Sequence, residues 1–346
     1  ADRGSFFGKW QNPKFNINLD TRTLVRTGFP LSEIRMKFQK EILSTNKFQE
    51  KIVVLKAPTG IGKTKIFLDI VNEVSQYHKF DRVFYFSPLL ALTDDFEGKL
   101  FDTKKEVSLI NRVDAEKVLV YNHAFIGSLL KKRLSEDDAL ENPEFFKTQE
   151  YFERESFNKE LIITTTQRLL MVLYSNEASE KEKLLSFKNS FLIVDEVQTI
   201  PKFLLPNLIA ILKTLAAKYN SKILLVSATI PDELQDLPKL ETPKAIEAKY
   251  LEMTAKKIEY LPVLDVAGEI QCPKGSGHTL FMFNTRRKAF RFFTDKIYPV
   301  IPNSLYLSSG IRKRDRRDII NCLHDSEPKT VVSTQVLEAG VDVSFS

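Results

Sequence analysis

The sequence predicts an α/β protein of two tandem domains, each a parallel sheet with helices on both faces, the second incomplete toward its C-terminal end. Three observations carry that prediction. Apolar runs at 52–55, 83–86, 191–194 and 223–226 are continuous rather than alternating, as in strands buried on both faces. Stretches with helical spacing lie between them, the alternation expected of a parallel sheet. Turn signals then gather between 231 and 277 (Pro231, Pro238, Pro243, Pro262 and Gly275-Ser276-Gly277), after which the alternation starts again. A boundary is placed near 245: an irregular lead-in over 1–33, a first domain over 34–244 and a second over 245–346.

At 346 residues the chain has room for two domains of ordinary size. A hydrophobic share of 43% with 28% charged residues is that of a globular protein in water. No apolar run reaches the ~18 residues of a membrane span, and the start, ADRGSFFGKWQNPKF, lacks the apolar core of a secretion signal. Cys272 and Cys322 are few and far apart, which fits a reducing cytoplasm. With 51 Lys+Arg against 45 Asp+Glu the net charge is +6, which leans toward a polyanionic partner. The chain opens on Ala, so it is read as starting inside a longer gene product.

In order, IRMKFQKEIL (34–43) carries a helical apolar stripe. Gln39 on it has two readings: an amide pairing with an adenine edge, with Phe38 or another aromatic stacked on the ring, or a polar residue on a solvated face. KIVVLKAPTGIGKT (51–64) is a short buried strand opening into a loop that ends Gly62-Lys63-Thr64. Gly60 and Gly62 let the backbone curl until its N–H groups face an anion. Thr59, Gly60 and Gly62 form the cradle, Lys63 reaches the β- and γ-phosphates of ATP, and Thr64 offers its hydroxyl to Mg²⁺. A helix from about Thr64 to Tyr77 adds its positive end.

RVFYFSPLLALTDDF (82–96) reads as a strand closed by Ser87-Pro88 and a helix from Leu89. KVLVYNHAFIG (117–127) reads as a further strand, with His123 a ligand or a structural residue. Residues 128–160 mix both charge signs with few aliphatics, a helical surface insertion. In LIITTTQRLL (161–170) a buried strand meets three threonines and a helix near Gln167; strand-end hydroxyls suit phosphate oxygens, and Thr166 caps the helix or serves both ends.

FLIVDEVQ (191–198) closes a central strand on two carboxylates, where open α/β sheets place their ligands. Asp195 is read as holding Mg²⁺ through water and Glu196 as positioning the attacking water. Two acids there need the charge of Lys63 and the metal, which ties the two motifs together. An amphipathic helix follows over 201–218, starting at Pro201. ILLVSATI (223–230) then ends on Ser227-Ala228-Thr229, whose hydroxyls are placed to reach Asp195 or Gln198. The second domain reads as strand 278–285, a helix from Arg286, strand 303–309, helix 312–323 and strand 330–335. His324-Asp325 is one such pair at a helix end; a metal nuclease needs several more ligands, and none is read here.

The ordered set APTGIGKT, SPLLALT, TTTQ, DEVQ, SAT, FNTRRKA and STQVLEAGVD resembles superfamily two helicases across most of the chain, with Ala57 where the general phosphate-loop pattern has Gly. STQVLEAGVDVSF (333–345), with RKRDRR (312–317) and DEVQTIP (195–201), is similar to the CRISPR-associated helicase–nuclease of type I systems, the Cas-three family. The resemblance implies two RecA-like domains and ATP-driven, 3′-to-5′ unwinding of target DNA in CRISPR interference. As partners it implies single-stranded DNA, a Cascade-type effector complex and an HD nuclease on a separate subunit or domain, of which this sequence shows none. By the same resemblance Lys63 and Thr64 match the phosphate and metal residues, and Asp195 and Glu196 the metal ligand and water-positioning acid. Gln198 senses the γ-phosphate, Ser227 and Thr229 couple the domains, and Gly340 and Asp342 face ATP from the second. Pro88, Thr164, Thr165, Asn284, Thr285, Arg286, Thr334 and Gln335 fall on positions that touch the DNA backbone.

The family's final arginine-finger motif falls beyond Ser346, and such a finger is worth about 10³ to 10⁵ in rate. The chain alone is therefore expected to bind ATP and hydrolyse it weakly. Two other readings stand beside this one: a DNA-repair or RNA helicase of the same superfamily, and a non-catalytic docking module on a helicase scaffold. The intact Lys63, Thr64, Asp195 and Glu196 weigh against the last.

Overall fold

A computed structural model of the chain describes residues 13–17, 30–88, 117–121, 157–254, 278–323 and 327–334. Outside the described residues lie most of the lead-in, the helix read from Leu89, His123, most of the 128–160 insertion, the His324-Asp325 pair, Gln335, Gly340 and Asp342. The chain divides into two compact units, Ala1–Ala255 and Lys256–Ser346.

The first unit holds strands β1 (Ile52–Lys56), β2 (Arg82–Ser87), β3 (Val118–Val120), β4 (Leu161–Thr165), β5 (Ser190–Val194), β6 (Lys222–Ser227) and β7 (Lys239–Glu241). They form one parallel sheet in the order β3-β4-β2-β5-β6-β1-β7. Its helices are α1 (Pro30–Leu43), α2 (Lys63–Tyr77), α3 (Thr166–Tyr174), α4 (Ala178–Leu184), α5 (Leu205–Lys218) and α6 (Lys244–Thr254). Alternate strand residues divide between two cores. Val53, Leu55, Val83, Tyr85 and Ile193 pack with Ile34 and Phe38 of α1 and Ile66 and Ile70 of α2. Val54, Phe84, Leu192 and Leu225 pack on the other face with Leu169 of α3 and Leu208 and Leu212 of α5. Burial on both faces is what the continuous apolar runs encode, each such side chain contributing about 1.5–3 kcal/mol.

Three readings are corrected. Helix α1 begins at Pro30, so the last residues of the supposed lead-in are helical; proline is at home in a first turn. The helix after the carboxylate motif begins at Leu205, behind a 3₁₀ turn over Lys202–Leu204, and Pro206 rather than Pro201 is its first-turn proline. The division between units falls at Ala255 rather than near 245. Pro231, Pro238 and Pro243 flank no linker: β7 adds to the sheet edge beside β1, with Leu240 paired to Leu55 and the Pro238 carbonyl accepting from Val54 N at 2.8 Å.

In the second unit β8 (Thr279–Met282), β9 (Leu305–Leu307) and β10 (Thr330–Ser333) form a parallel sheet in the order β8-β10-β9. Helix α7 (Arg286–Phe292), extended by a π-helical turn over Phe293–Ile297, covers one face through Ala289 and Ile297 against Val332. Helix α8 (Lys313–Cys322) covers the other through Ile319 and Ile320 against Leu307 and Val331. Two α/β units with parallel sheets agree with the fold class read from the sequence. Among the described residues no helix is long and apolar enough to cross a membrane.

Candidate nucleotide site

The site lies at the C-terminal ends of β1, β5 and β6, where parallel strands deliver their loops. The loop from Ala57 to Gly62 joins β1 to α2. Gly60 (φ 78°) and Gly62 (φ 102°) both lie in the left-handed region, which explains glycine at those two places. Gly62 directly precedes α2, so the helix starts at Lys63 and its unpaired N–H groups open at the loop. The Thr64 side chain lies outside the described part of the chain.

Strand β5 ends at Val194 and presents Asp195 and Glu196. The Asp195 carboxylate is buried, accepting from the Tyr85 hydroxyl at 2.9 Å and from Glu196 N at 2.9 Å. Burial pushes its pKa up to about 6; the nearby Lys63 charge pulls the other way and the Glu196 carboxylate adds to the rise. Glu196 holds a left-handed backbone (φ 51°), strained for a residue with a side chain. Its carbonyl accepts from Thr199 N at 2.9 Å and Thr199 Oγ1 at 2.8 Å, which holds the turn.

These elements join in a relay of contacts. Lys63 Nζ forms an ion pair with Glu196 Oε1. Gln198 Nε2 donates to Glu196 Oε2 at 2.5 Å, and the Ser227 hydroxyl donates to Gln198 Oε1 at 2.5 Å. The same hydroxyl lies against the Thr229 carbonyl. Lys63, Glu196, Gln198 and Ser227 thus meet, with Asp195 beside them. Thr229 contributes its carbonyl rather than the hydroxyl expected of it.

Other expected site residues stand differently. Phe38 is wholly buried in the core and has no face for an adenine to stack on. Gln39 is half-buried on α1. Thr164 is buried and donates to the Tyr121 carbonyl at 2.9 Å, so its hydroxyl is used inside the sheet rather than offered to DNA. Thr165, not Thr166, caps α3, accepting from Arg168 N at 3.3 Å. Pro88 is half-buried just past β2. In the second unit Asn284, Thr285 and Arg286 are exposed beyond β8. Thr285 caps α7, and Arg286 lines a groove with Arg287, Phe290, Tyr306 and Ser308. Thr334 is buried, its N–H bonded to the Leu307 carbonyl at 3.2 Å.

Three residues of the site escaped the sequence reading. Tyr85 carries the hydrogen bond to Asp195 from an otherwise apolar strand; a buried tyrosine hydroxyl needs a partner, and that need was the available signal. Arg35 Nη2 donates to the Gly60 carbonyl at 2.8 Å, and the Tyr250 hydroxyl to the Thr59 carbonyl at 2.8 Å. Neither belongs to a local pattern: Tyr250 stands 191 residues from Thr59.

The model of the DEAD/DEAH box helicase family matches residues 36–237 of the chain. The chain is similar to the CRISPR-associated nuclease/helicase Cas3 of Streptococcus thermophilus, 23% identical over 240 residues that cover 66% of this chain and 26% of that protein. It is similar also to the putative CRISPR-associated nuclease/helicase Cas3 of Methanocaldococcus jannaschii, 24% identical over 338 residues, 89% of this chain and 43% of that one. The chain therefore spans less than half the length of these curated relatives. Among solved structures, T. fusca Cas3-AMPPNP superimposes with a TM-score of 0.58 at 15% identity, over 89% of this chain and 41% of that one, a likeness of fold.

Proposed function

The chain belongs to the DEAD/DEAH box helicase family, and on that premise we propose that it is the ATP-driven motor of a CRISPR-associated nuclease/helicase, travelling 3′-to-5′ along single-stranded DNA. The observation that carries the reading is the relay Lys63–Glu196–Gln198–Ser227, which links the phosphate loop to the ends of β5 and β6. The γ-phosphate of ATP competes for the Lys63 ammonium, and taking it leaves the Glu196 carboxylate to orient water. The water oxygen bonds to the γ-phosphorus as the bond to the ADP oxygen breaks, and Glu196 accepts the water's proton. Gln198, bonded to both Glu196 and Ser227, carries the change from the carboxylate toward β6.

Asp195, with Thr64, would hold Mg²⁺. A hard carboxylate whose charge is raised in energy by burial suits a dication, and the ion would neutralise phosphate charge. Among the described residues no group of three or more His, Cys, Asp or Glu could hold a metal by itself, so the remaining positions fall to phosphate oxygens and water. The likeness to Cas3 proteins supports a CRISPR effector complex and an HD nuclease as partners. The net charge of +6 and the exposed Arg286 and Arg287 support a strand held by its phosphates.

The test is ATP hydrolysis with single-stranded DNA, single-stranded RNA or neither. DNA is expected to stimulate turnover, to a weak level in this chain by itself, and Glu196→Gln to lower it by about 10² to 10⁴ while ATP still binds. Stimulation chiefly by RNA would make this an RNA helicase instead. ATP binding that survives unchanged in Lys63→Ala would end the motor reading.

A further inference from the structure

Two hydrogen bonds hold the outer edge of the phosphate loop from helices remote in sequence: Arg35 of α1 to the Gly60 carbonyl and Tyr250 of α6 to the Thr59 carbonyl. Tyr250 shares a core with Ile34, Phe38 and Ile42 of α1, so the two helices present their polar tips to the loop together. Arg35 Nε is buried and, among the described residues, has no partner. An unmatched buried donor is costly; packing alone does not call for an arginine there, and among the described residues the backbone acceptor it meets is the Gly60 carbonyl of the loop.

The consequence follows from peptide geometry. Among the described residues every peptide bond is trans, so each C=O and the N–H that follows it point in opposite directions. Drawing the Thr59 and Gly60 carbonyls toward Tyr250 and Arg35 turns the N–H groups of Gly60 and Ile61 the other way, into the curl of the loop, where an anion is met by backbone donors. The fit leaves no slack: a Cβ at Gly60 would stand 2.6 Å from the Tyr250 hydroxyl.

We propose that Arg35 and Tyr250 are positioning residues for the phosphates of ATP, acting through the loop rather than by touching the nucleotide. The inference rests on the ATPase reading above. It also gives α6 a second role. That helix ends at Thr254, next to the junction of the two units, so the hydroxyl that orients the loop sits on the last element of the first unit.

The test measures binding of ADP and of AMPPNP, each with Mg²⁺, by titration calorimetry, together with KM and kcat for ATP. Tyr250→Phe keeps the ring in the core and removes the hydroxyl, so the melting temperature stays near wild type. Kd and KM rise about three- to tenfold and kcat changes little. Arg35→Met shows a rise of the same order, part of which Arg35→Lys recovers by keeping a donor. Affinities within twofold of wild type in both Tyr250→Phe and Arg35→Met, with binding lost in Lys63→Ala, would overturn the inference and leave the ATPase reading intact. Wild-type binding by Lys63→Ala would remove that reading, and the inference with it.

Discussion

Two groups of buried charge in the first unit are alike in composition and differ in what surrounds them. At the strand ends Lys63 and Glu196 form an ion pair with side chains 10% and 17% exposed. Between α3 and α4, Arg168 and Lys183 both reach Oε1 of Glu180, at 2.7 and 2.9 Å, with Lys183 only 1% exposed. The Arg168 guanidinium also lies over the Tyr121 ring, 4.8 Å from its centroid. The first pair stands beside a loop of backbone donors, and its acid sits on a strained backbone. The second is closed in a core, on regular helices. Ion pairing alone therefore marks nothing; a pair marks a site where another anion has room to replace one partner.

Removing one partner from each cluster separates the two roles. Lys63→Ala is expected to lower ATP turnover by at least about 10²- to 10³-fold, since an oriented cation at developing phosphate charge is lost. Glu196 keeps its bond from Gln198 and some access to water, so the melting temperature should move by no more than about 2–4 °C. A collapse in stability without nucleotide would break the comparison, because the pair would then be structural.

Glu180→Ala is the mirror experiment. It leaves Arg168 and Lys183 buried without the carboxylate they share, and breaking a buried pair this way costs about 3–5 kcal/mol. For a unit of this size the melting temperature falls by about 6–20 °C. Turnover per folded molecule, assayed well below the transition, should stay within about twofold of wild type, because β2, β5 and β6 stand in the sheet between β4, beside the cluster, and β1, which feeds the phosphate loop. A loss of turnover in fully folded protein would show that the cluster, which sits under the strand end at Thr165, feeds into the motor.

The same contrast explains how much was legible in the sequence. Strands buried on both faces leave continuous apolar runs, so β1, β2, β5 and β6 were readable, and with them the phosphate loop and the acids Asp195 and Glu196 that follow such runs. The link from Gln198 to Ser227 was readable because both lie at neighbouring strand ends. The buried place of Thr164 is not legible, because on a strand buried on both faces a threonine near the end reads like the threonines that follow it. Arg35, Tyr85 and Tyr250 act across elements far apart in the chain, and a hydrogen bond of that kind leaves no period or spacing behind. The Arg168–Glu180–Lys183 cluster, charged and buried, reads in sequence like any solvated helix face.

Lys222, at the start of β6, sharpens the comparison from the other side: a buried lysine whose ammonium faces an aromatic ring, 5.6 Å from the Tyr77 centroid. Burial pushes its pKa down to about 8, with Glu50 opposing the shift; His78, whose own pKa is lowered first by burial and then by Lys222, and Tyr77, whose pKa burial raises, are titratable neighbours. Because the folded pKa is below the ordinary 10.5, the unfolded chain holds more protons between about pH 8 and 10.5. The stability of the folded state therefore rises with pH across that window, and below pH 8 the full cost of burying the charge is present. Lys222→Met should melt about 2–4 °C above wild type at pH 7, and the gap should close as the pH approaches 10. A gap that stayed constant would mean that the ammonium keeps its water in the folded protein. The low exposure of a lysine would then say little about its charge, and the Lys63 and Lys183 clusters would have to be distinguished by their partners alone.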